Sequence, residues 1–453
     1  MKAHKDYREV DIPGLYKIPK TWIDGKFKYN VYYQEGPGLR HWQFMDKGVK
    51  VICVTNITEN GIDFSSYTKY ISKEEYESSY KHFTVKRGNL LIASSGASWG
   101  KIAEYDSNEI VILNTSTIRL ETSKRILNSF LKYLLESQYI QDQLSILITG
   151  SCQPNFGPTH LSKLDICLPS DVEEQRQIAA YLDYKTQQID RFIANRKKQI
   201  ELLEEQKEAI INKAITVGID NVDLEVIETH WYSLKPKNWE LLKFNAAINL
   251  IHGFQFRDND FTAEGIKIVK ITQLNANGTL DLTIADTIDE KRLSSFKSRI
   301  IKNGDILMAL TGGTIGKIIR VEDLDEIVLQ NYRVGKFEPR YKNQLSKRYL
   351  FWVLRSEKTF AQINFLLRET GQPNIGKGDF SKMFFALPPT IEEQDSIADF
   401  IEKELAERNE LISKYQNQID LMQEYKTSLI SKAVTGKIDV REWEPKQTLK
   451  ETV

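Results

Sequence analysis

The sequence predicts an α+β protein of two pseudo-symmetric copies of one unit, each a globular α/β-type block followed by a long α-helix, the two helices packed as an antiparallel coiled coil. Three observations carry this. The stretch Gln153 to Asp220 lies over Gln372 to Asp439 at a constant offset of 219, with 25 identities in 68 ungapped positions. Each copy of that stretch holds a mostly apolar stripe at alternating spacings of four and three, the seam of a coiled coil. The more divergent blocks ahead of the two copies read as short β-branched runs between turn residues.

At 453 residues and 41% hydrophobic, the chain has material for two or three domains that each bury a core. Lys and Arg number 62 against 62 Asp and Glu, so no strong overall field marks a partner. The charge is mildly segregated: residues 1–170 carry 21 against 18 (+3) and 221–390 carry 24 against 20 (+4). The segments between and after give 8 against 10 (−2) and 9 against 14 (−5). Cys53, Cys152 and Cys167 have no C-x-x-C spacing and the six histidines form no H-E-x-x-H pair, so reduced structural thiols and no metal site are expected. The N-terminal residues lack the apolar core of a signal peptide and no run of eighteen apolar residues occurs, which predicts a soluble, cytoplasmic protein.

Residues 1–170 form the first block, opened after a short polar leader by Ile18-Pro19-Lys20-Thr21-Trp22. Val49 to Val54, Leu90 to Ala93 and Ile110 to Leu113 read as strands, and Arg125 to Ile148 as an amphipathic helix. Residues 171–217 are the first long helix, with a capping-box signal at Asp171-x-x-Glu174. Residues 218–234 read as a linker into the second block, 235–389, which opens on Lys235-Pro236-Lys237-Asn238-Trp239. Its expected strands are Ile266 to Ile271, Ile306 to Leu310 and Ile327 to Leu329, and its expected helix Lys347 to Leu367. Residues 390–435 are the second long helix, capped at Thr390-x-x-Glu393, and 436–453 the C-terminal tail.

The stripe runs through Leu182, Thr186, Ile189, Ile193, Arg196, Ile200, Leu203, Lys207, Ile210 and Ala214. In the second copy it runs through Ile401, Leu405, Arg408, Ile412, Tyr415, Ile419, Met422, Lys426, Leu429 and Ala433. A helix packed only on its own domain would show the same pattern. A helix of roughly 44 residues at about 1.5 Å each, however, is some 65 Å long, more than such a domain is wide. Each helix is therefore expected against the other, with Lys207 and Lys426 as polar breaks that fix register. Asn195 to Lys198 and Ser413 to Gln418 read as solvated faces.

Gly96 to Lys101 and Gly312 to Lys317 look like phosphate loops but fail the test. A Walker A loop needs Gly where this chain has Ser95 and Thr311, and Ser or Thr where it has Ile102 and Ile318. No G-x-G-x-x-G opens a helix, and no spacing of carboxylates commits them to nuclease chemistry. The two turns still suit close backbone approach to phosphate, with Trp99, Lys101, Thr314 and Lys317 beside them, although a solvated turn fits them equally. Arg40-His41-Trp42-Gln43 and Gln330-Asn331-Tyr332-Arg333 combine donor forks, aromatics and amides of the kind that read base edges. Asn114, Gln255, Arg257 and the pairs Gln153 and Asn155, Gln372 and Asn374 complete the candidate DNA contacts.

These phrases in this order make the whole chain resemble the specificity (S) subunit of Type I restriction-modification systems. The carriers are Gly371 to Ile375 and its variant Cys152 to Phe156, then Leu387 to Gln394 with Ile397, and Leu168 to Gln175 with Ile178. Lys213 to Thr216 and Lys432 to Thr435, followed by Gly218 and Gly436, complete the set; Ser170 departs from Pro389. The resemblance implies two target recognition domains, each reading one half of a bipartite sequence in double-stranded DNA, separated by antiparallel helices that set the unread spacer. It implies a non-catalytic chain without catalytic or metal residues or a bound cofactor of its own. Two modification (methyltransferase) subunits would carry S-adenosylmethionine and methylate adenine, and restriction or translocase subunits would use ATP and Mg. The rival reading of the residues is a coiled-coil scaffold or adaptor whose blocks bind proteins rather than DNA; the modest charge favours it and the paired Gly-Lys turns disfavour it.

Overall fold

A computed structural model describes residues 2–58, 61–148, 155–220, 222–275, 278–370 and 374–445. Their contacts divide the chain into two compact units, Met1–Arg196 with Gln416–Val453, and Lys197–Tyr415. The first unit therefore takes in both ends of the chain.

Each unit repeats the same strand plan. In the first, an antiparallel sheet runs Ile102–Glu104, Leu90–Ala93, Thr117–Thr122, Val31–Glu35, and a mixed sheet runs Lys69–Ile71, Val49–Ile52, Val111–Leu113, Thr84–Val85. In the second, the matching orders are Ile318–Arg320, Ile306–Ala309, Val334–Pro339, Ile248–His252, and Thr287–Ile288, Ile266–Val269, Val328–Gln330, Ile300–Ile301, with Phe261–Thr262 added at one edge. A parallel strand pairing falls at the same place in both, Val111–Leu113 on Val49–Ile52 and Val328–Gln330 on Ile266–Val269. Strand Ile306–Ala309 shows why its sequence is continuously apolar. Ile306 and Met308 join a core with the helical residues Tyr349 and Val353, while Leu307 and Ala309 face the mixed sheet at Val269 and Val328. Both faces are covered, so alternation with polar residues is lost.

Three expectations need correction. The strands expected at Val49 to Val54, Ile266 to Ile271 and Ile306 to Leu310 end earlier, at Ile52, Val269 and Ala309, and the runs at Ile110 and Ile327 begin one residue later. The single helices expected at Arg125 to Ile148 and Lys347 to Leu367 are each two, Asn128–Glu136 with Gln138–Leu147, and Lys347–Arg355 with Glu357–Thr370. The break falls at a buried serine in extended conformation, Ser137 or Ser356, whose hydroxyl donates back to the carbonyl of Leu134 or Val353. A serine that satisfies itself locally competes with the helix ladder.

The expected linker 218–234 is also structured. Leu224–Val226 pairs antiparallel with Leu234–Pro236, Leu224 opposite Pro236, as Tyr7 stands opposite Pro19 in the hairpin Tyr7–Ile12 with Leu15–Pro19. Leu224 and Pro236 lie 217 positions beyond Tyr7 and Pro19, so the N-terminal leader and the linker are one duplicated element. After it comes a strand that pairs with the one leading into the long helix: Trp22–Lys26 with Asp165–Pro169, and Glu240–Lys243 with Phe384–Leu387.

The long helices run Val172–Val217 and Ile391–Val434. None of the twenty stripe positions is exposed. In the first unit Lys426 Nζ meets Asp190 at 2.7 and 2.9 Å, and Trp443, past the end of the second helix, packs on Tyr181 and Tyr184 near the start of the first. In the second unit Ile211, Ala214 and Ile215 share a core with Ile397, Ala398, Ile401 and Leu405. The end of each helix thus meets the start of the other, which is the antiparallel pairing. Lys426 makes a cross-helix bond, whereas buried Lys207 pairs with Glu204 of its own helix at 2.7 Å.

The capping boxes are half made. Asp171 accepts from the Glu173 N–H and Thr390 from the Glu393 N–H, but Glu174 and Glu393 do not turn back to the helix start. They accept the indole N–H of Trp22 and Trp239 instead, at 2.9 and 2.7 Å. The following glutamines join each helix to its block: Gln175 takes the Leu127 N–H and donates to the Arg125 and Pro169 carbonyls. Gln394 repeats this with Ser346, Gln344 and Pro388. The repeated Glu-Glu-Gln phrase is therefore a bracket of the fold.

Candidate nucleic-acid interface

In each unit the turn and the Asn that the sequence repeats are brought together. The first Gly-rich turn joins Leu90–Ala93 to Ile102–Glu104, with Gly96 and Gly100 at φ +67° and +76°; Gly312 and Gly316 take +74° and +83° in the second. Only glycine adopts these angles without strain. Each turn runs on into a strand rather than a helix, so it lacks the helix N-terminus of a phosphate-hydrolysing loop. Asn155 bridges to Ser95 and Asn374 to Thr311, and the next residues, Phe156 and Ile375, donate to the Ser94 and Leu310 carbonyls at 3.1 and 3.0 Å. Gln153 and Gln372 lie outside the described residues.

A second loop meets the end of the parallel strand. The Asn114 and Asn331 amides donate to the Ile52 and Val269 carbonyls, both at 3.0 Å. Gly36 and Gly253, 217 apart, lie against this corner so closely that a Cβ would stand 2.2 Å from the Asn114 or Gln330 carbonyl oxygen. Four residues on, Arg40 and Arg257 hold the same position at the head of a 3₁₀ turn, their N–H groups donating to Gln43 Oε1 and Asp260 Oδ2 at 2.8 and 2.7 Å. Both arginines are exposed.

Of the candidate contacts, Arg40, His41, Trp42, Asn155, Gln255, Arg257, Arg333 and Asn374 are exposed, and Trp99, Lys101, Asn114, Thr314, Lys317 and Tyr332 are half-buried. Three candidates are placed otherwise than a base reader requires. Gln43 is buried, and its amide donates to Glu75 Oε1 and the Tyr80 hydroxyl at 3.0 and 2.9 Å. Gln330 is fully buried and donates to the Ile251 and Val334 carbonyls. Asn331 is buried too, and its Oδ1 accepts the Arg333 N–H at 3.2 Å. These side chains shape the turns from within. Arg333 stands over the Tyr332 ring, 5.3 Å from its centre, and donates to its hydroxyl, which stiffens a long cation for contact.

Burial pushes the Cys53 thiol up, against the Asn114 amide bond that lowers it. Burial pushes the His252 imidazole below its usual range, and the Lys377 and Arg299 cations add to this. Cys167 is free and buried like Cys53, and Cys152 lies outside the described residues. Among the described residues no group of three or more His, Cys, Asp and Glu could hold a metal, and no helix is long and apolar enough to cross a membrane. Sequence reasoning missed Gly36, Gly253, Lys69 and the half-exposed Phe254; one usable signal was the shared glycine at offset 217.

Comparison with known proteins gives one answer. The Type I restriction modification DNA specificity domain matches residues 32–204 and again 236–421. The specificity subunit of the Type I restriction enzyme MjaVIII of Methanocaldococcus jannaschii is 26% identical over 449 residues, covering 97% of this chain and 98% of the relative. The EcoBI specificity subunit of Escherichia coli is 24% identical over 286 residues, covering 60% of this chain and 59% of its own. Among solved structures, a chain from a study of complex assembly and conformational transition in the type I R-M system aligns with TM-score 0.70 at 15% identity, covering 93% of this chain and 100% of that one. The HsdS subunit of Thermoanaerobacter tengcongensis aligns with TM-score 0.50 at 17% identity, over 94% and 99%. With its two matched segments, the chain belongs to the family of Type I restriction modification DNA specificity domains.

Proposed function

We propose that the chain is the DNA sequence-recognition subunit of a Type I restriction-modification complex and makes or breaks no bond itself. Each unit reads one half of a bipartite target in duplex DNA, and the two long helices set the length of the unread spacer and dock two modification subunits. Those subunits carry S-adenosylmethionine and methylate adenine; restriction subunits with ATP and Mg complete the assembly, and this chain binds no cofactor. Its compartment is the cytoplasm, where the DNA is.

The observation that carries the reading is the repeated corner. In both units a Gly-rich turn with its lysine lies beside the Asn of the Gln-Pro-Asn phrase, and an exposed arginine follows a loop pinned at the end of the parallel strand. Such turns supply backbone N–H groups and charge to phosphate, while arginine and asparagine reach base edges. The frames match and the residues on them differ, exposed Trp42 against exposed Asn259 and half-buried Ser116 against exposed Arg333, as two different half-sites require. Leu202 and Leu421 stand exposed on the long helices, apolar positions that a docked subunit would cover.

The test is to express the chain with its modification subunits and map the methylated adenines. A bipartite motif is expected, and replacing residues 15–150 with another reader of the family should change one half only. Change in both halves, or methylation without sequence preference, would overturn the reading.

A further inference from the structure

The two arginine-headed turns are equivalent in frame and different in chemistry. In the first unit the turn His41–Gln43 carries Trp42, 77% exposed. It is held from beneath by buried Gln43, whose amide joins Arg40, Glu75 and Tyr80. Met45 and Tyr67 are exposed as well, so Trp42 is not the lone apolar side chain of this region. Its own stretch is mildly cationic. Arg40 and Lys47 are exposed on it against Asp46, with Glu75 bonded to Gln43 below, and the chain leaving the turn passes Phe44, which lies under Lys69 Nζ at 4.0 Å, to Met45, bridged to Tyr70. Lys69 also lies 5.4 Å from the centre of the half-exposed Tyr67 ring. In the second unit the equivalent turn is Asp258–Asp260, with Asp258 exposed and Asp260 bound to the Arg257 N–H and to Arg292. Asp260 is neutralised by Arg292, so the turn presents one carboxylate, Asp258, beside the Arg257 cation and no aromatic side chain.

We propose that Trp42 is a wedge residue: on binding it enters a base step in the half-site read by the first unit, and the second unit reads its half without a counterpart at this turn. The inference rests on the DNA-reading function proposed above. Duplex DNA is the occupant that the charge favours, because Arg40 and Lys47, exposed on either side of Trp42 in the chain, can meet phosphates while the ring meets bases, and the stretch continues from the Gly36 corner. Pyrimidine–purine steps unstack most easily, so the wedged step is expected to be one of these. The wedge is therefore a source of specificity at a step where no hydrogen bond to a base edge is needed.

The experiment uses the full chain purified with its modification subunits, on a duplex bearing the mapped target and 2-aminopurine at one position at a time. The methylated adenine is left unlabelled, because extruding it for chemistry brightens the probe by itself. Wild type should brighten the probe at one step of the first unit's half. Trp42→Ala should abolish that signal and weaken binding about tenfold to a hundredfold, with Trp42→Phe in between. Trp42 is exposed, so its replacement removes no core packing, and equal thermal unfolding of the three chains checks this. If Trp42→Ala keeps wild-type affinity and the step signal, or lowers methylation with DNA affinity unchanged as a protein-docking residue would, the wedge is refuted while the DNA-reading function stands. If the wild-type complex does not prefer its target over random duplex, the function itself fails.

Discussion

The Trp22 indole N–H donates to Glu174 Oε1 at 2.9 Å, joining the strand Trp22–Lys26 of the first unit's block to the first turn of its long helix across 152 residues. Trp239 does the same to Glu393 at 2.7 Å in the second unit. Glu174 is buried and Glu393 half-exposed. Trp22→Phe leaves a buried carboxylate without its donor and should cost roughly 1–3 kcal/mol, and Trp239→Phe less, because water reaches Glu393. Urea unfolding of the two variants, followed by amide exchange in each unit, checks the order. Equal losses would show that burial of the carboxylate does not govern the cost.

Gln175 and Gln394 are fully buried and each makes three bonds to backbone. Replacement by Ala strands a donor and two carbonyls, so each variant should lose about 2–4 kcal/mol in its own unit. Gln175→Glu should be worse than Gln175→Ala, since it sets a carboxylate against the Arg125 and Pro169 carbonyls. Denaturation midpoints with unchanged m-values would measure this.

The chain ends meet in the first unit, and their contact should weaken in acid. The Asp439 N–H donates to the Lys2 carbonyl at 2.9 Å, and the His4 ring lies 3.8 Å from Glu174 and 4.0 Å from Asp439. Burial pushes the His4 imidazole below its usual 6.5, against the raising effects of Asp439 and Glu174. A histidine with a depressed folded pKa contributes stability that is complete above 6.5 and is lost as pH falls through the folded value. The Arg441 guanidinium holds the Asp439 carboxyl down at about 2, so that carboxylate's contribution is lost only on further acidification, from below 3.8. The protection of the Asp439 amide, taken relative to its intrinsic exchange rate at each pH, should therefore fall as the pH drops below 6.5, and His4→Gln should remove that dependence. His252 is depressed as well, which is why the readout is a single amide of the first unit.

What was legible followed from period and repetition. The long helices were readable because their stripe persists for nearly five heptads, and the fold class because the unit occurs twice. The breaks at Ser137 and Ser356 were not, since a serine bonded to its own preceding turn leaves the apolar periodicity on both sides intact. Glu174 read as a capping residue because the indole that takes its carboxylate lies 152 residues away in sequence. Gln330 read as a base contact because its place at a strand end fits one, yet its amide turns inward to two carbonyls that local pattern does not reveal. Arg40 and Arg257 were named from residue type, and their equivalence emerges only when both loops are seen pinned to the same corner.

That corner gives a test of how far the reading surface depends on close backbone approach. A Cβ on Gly36 would stand 2.2 Å from the Asn114 oxygen and one on Gly253 2.2 Å from the Gln330 oxygen, whereas nothing lies within 4 Å of a Cβ on Gly38. Gly36→Ala must open the loop away from the strand end and displace Arg40, and Gly253→Ala must do the same to Arg257. Each should weaken discrimination in its own half-site by about tenfold while the other half keeps its preference, since a mismatched base contact costs roughly 1–3 kcal/mol. Gly38→Ala should leave both halves as they are. Methylation of a randomised target library by complexes carrying each variant reads all three at once, and if Gly36→Ala changed the preference in the second unit's half, the loop would not be the local support of Arg40 that its geometry describes.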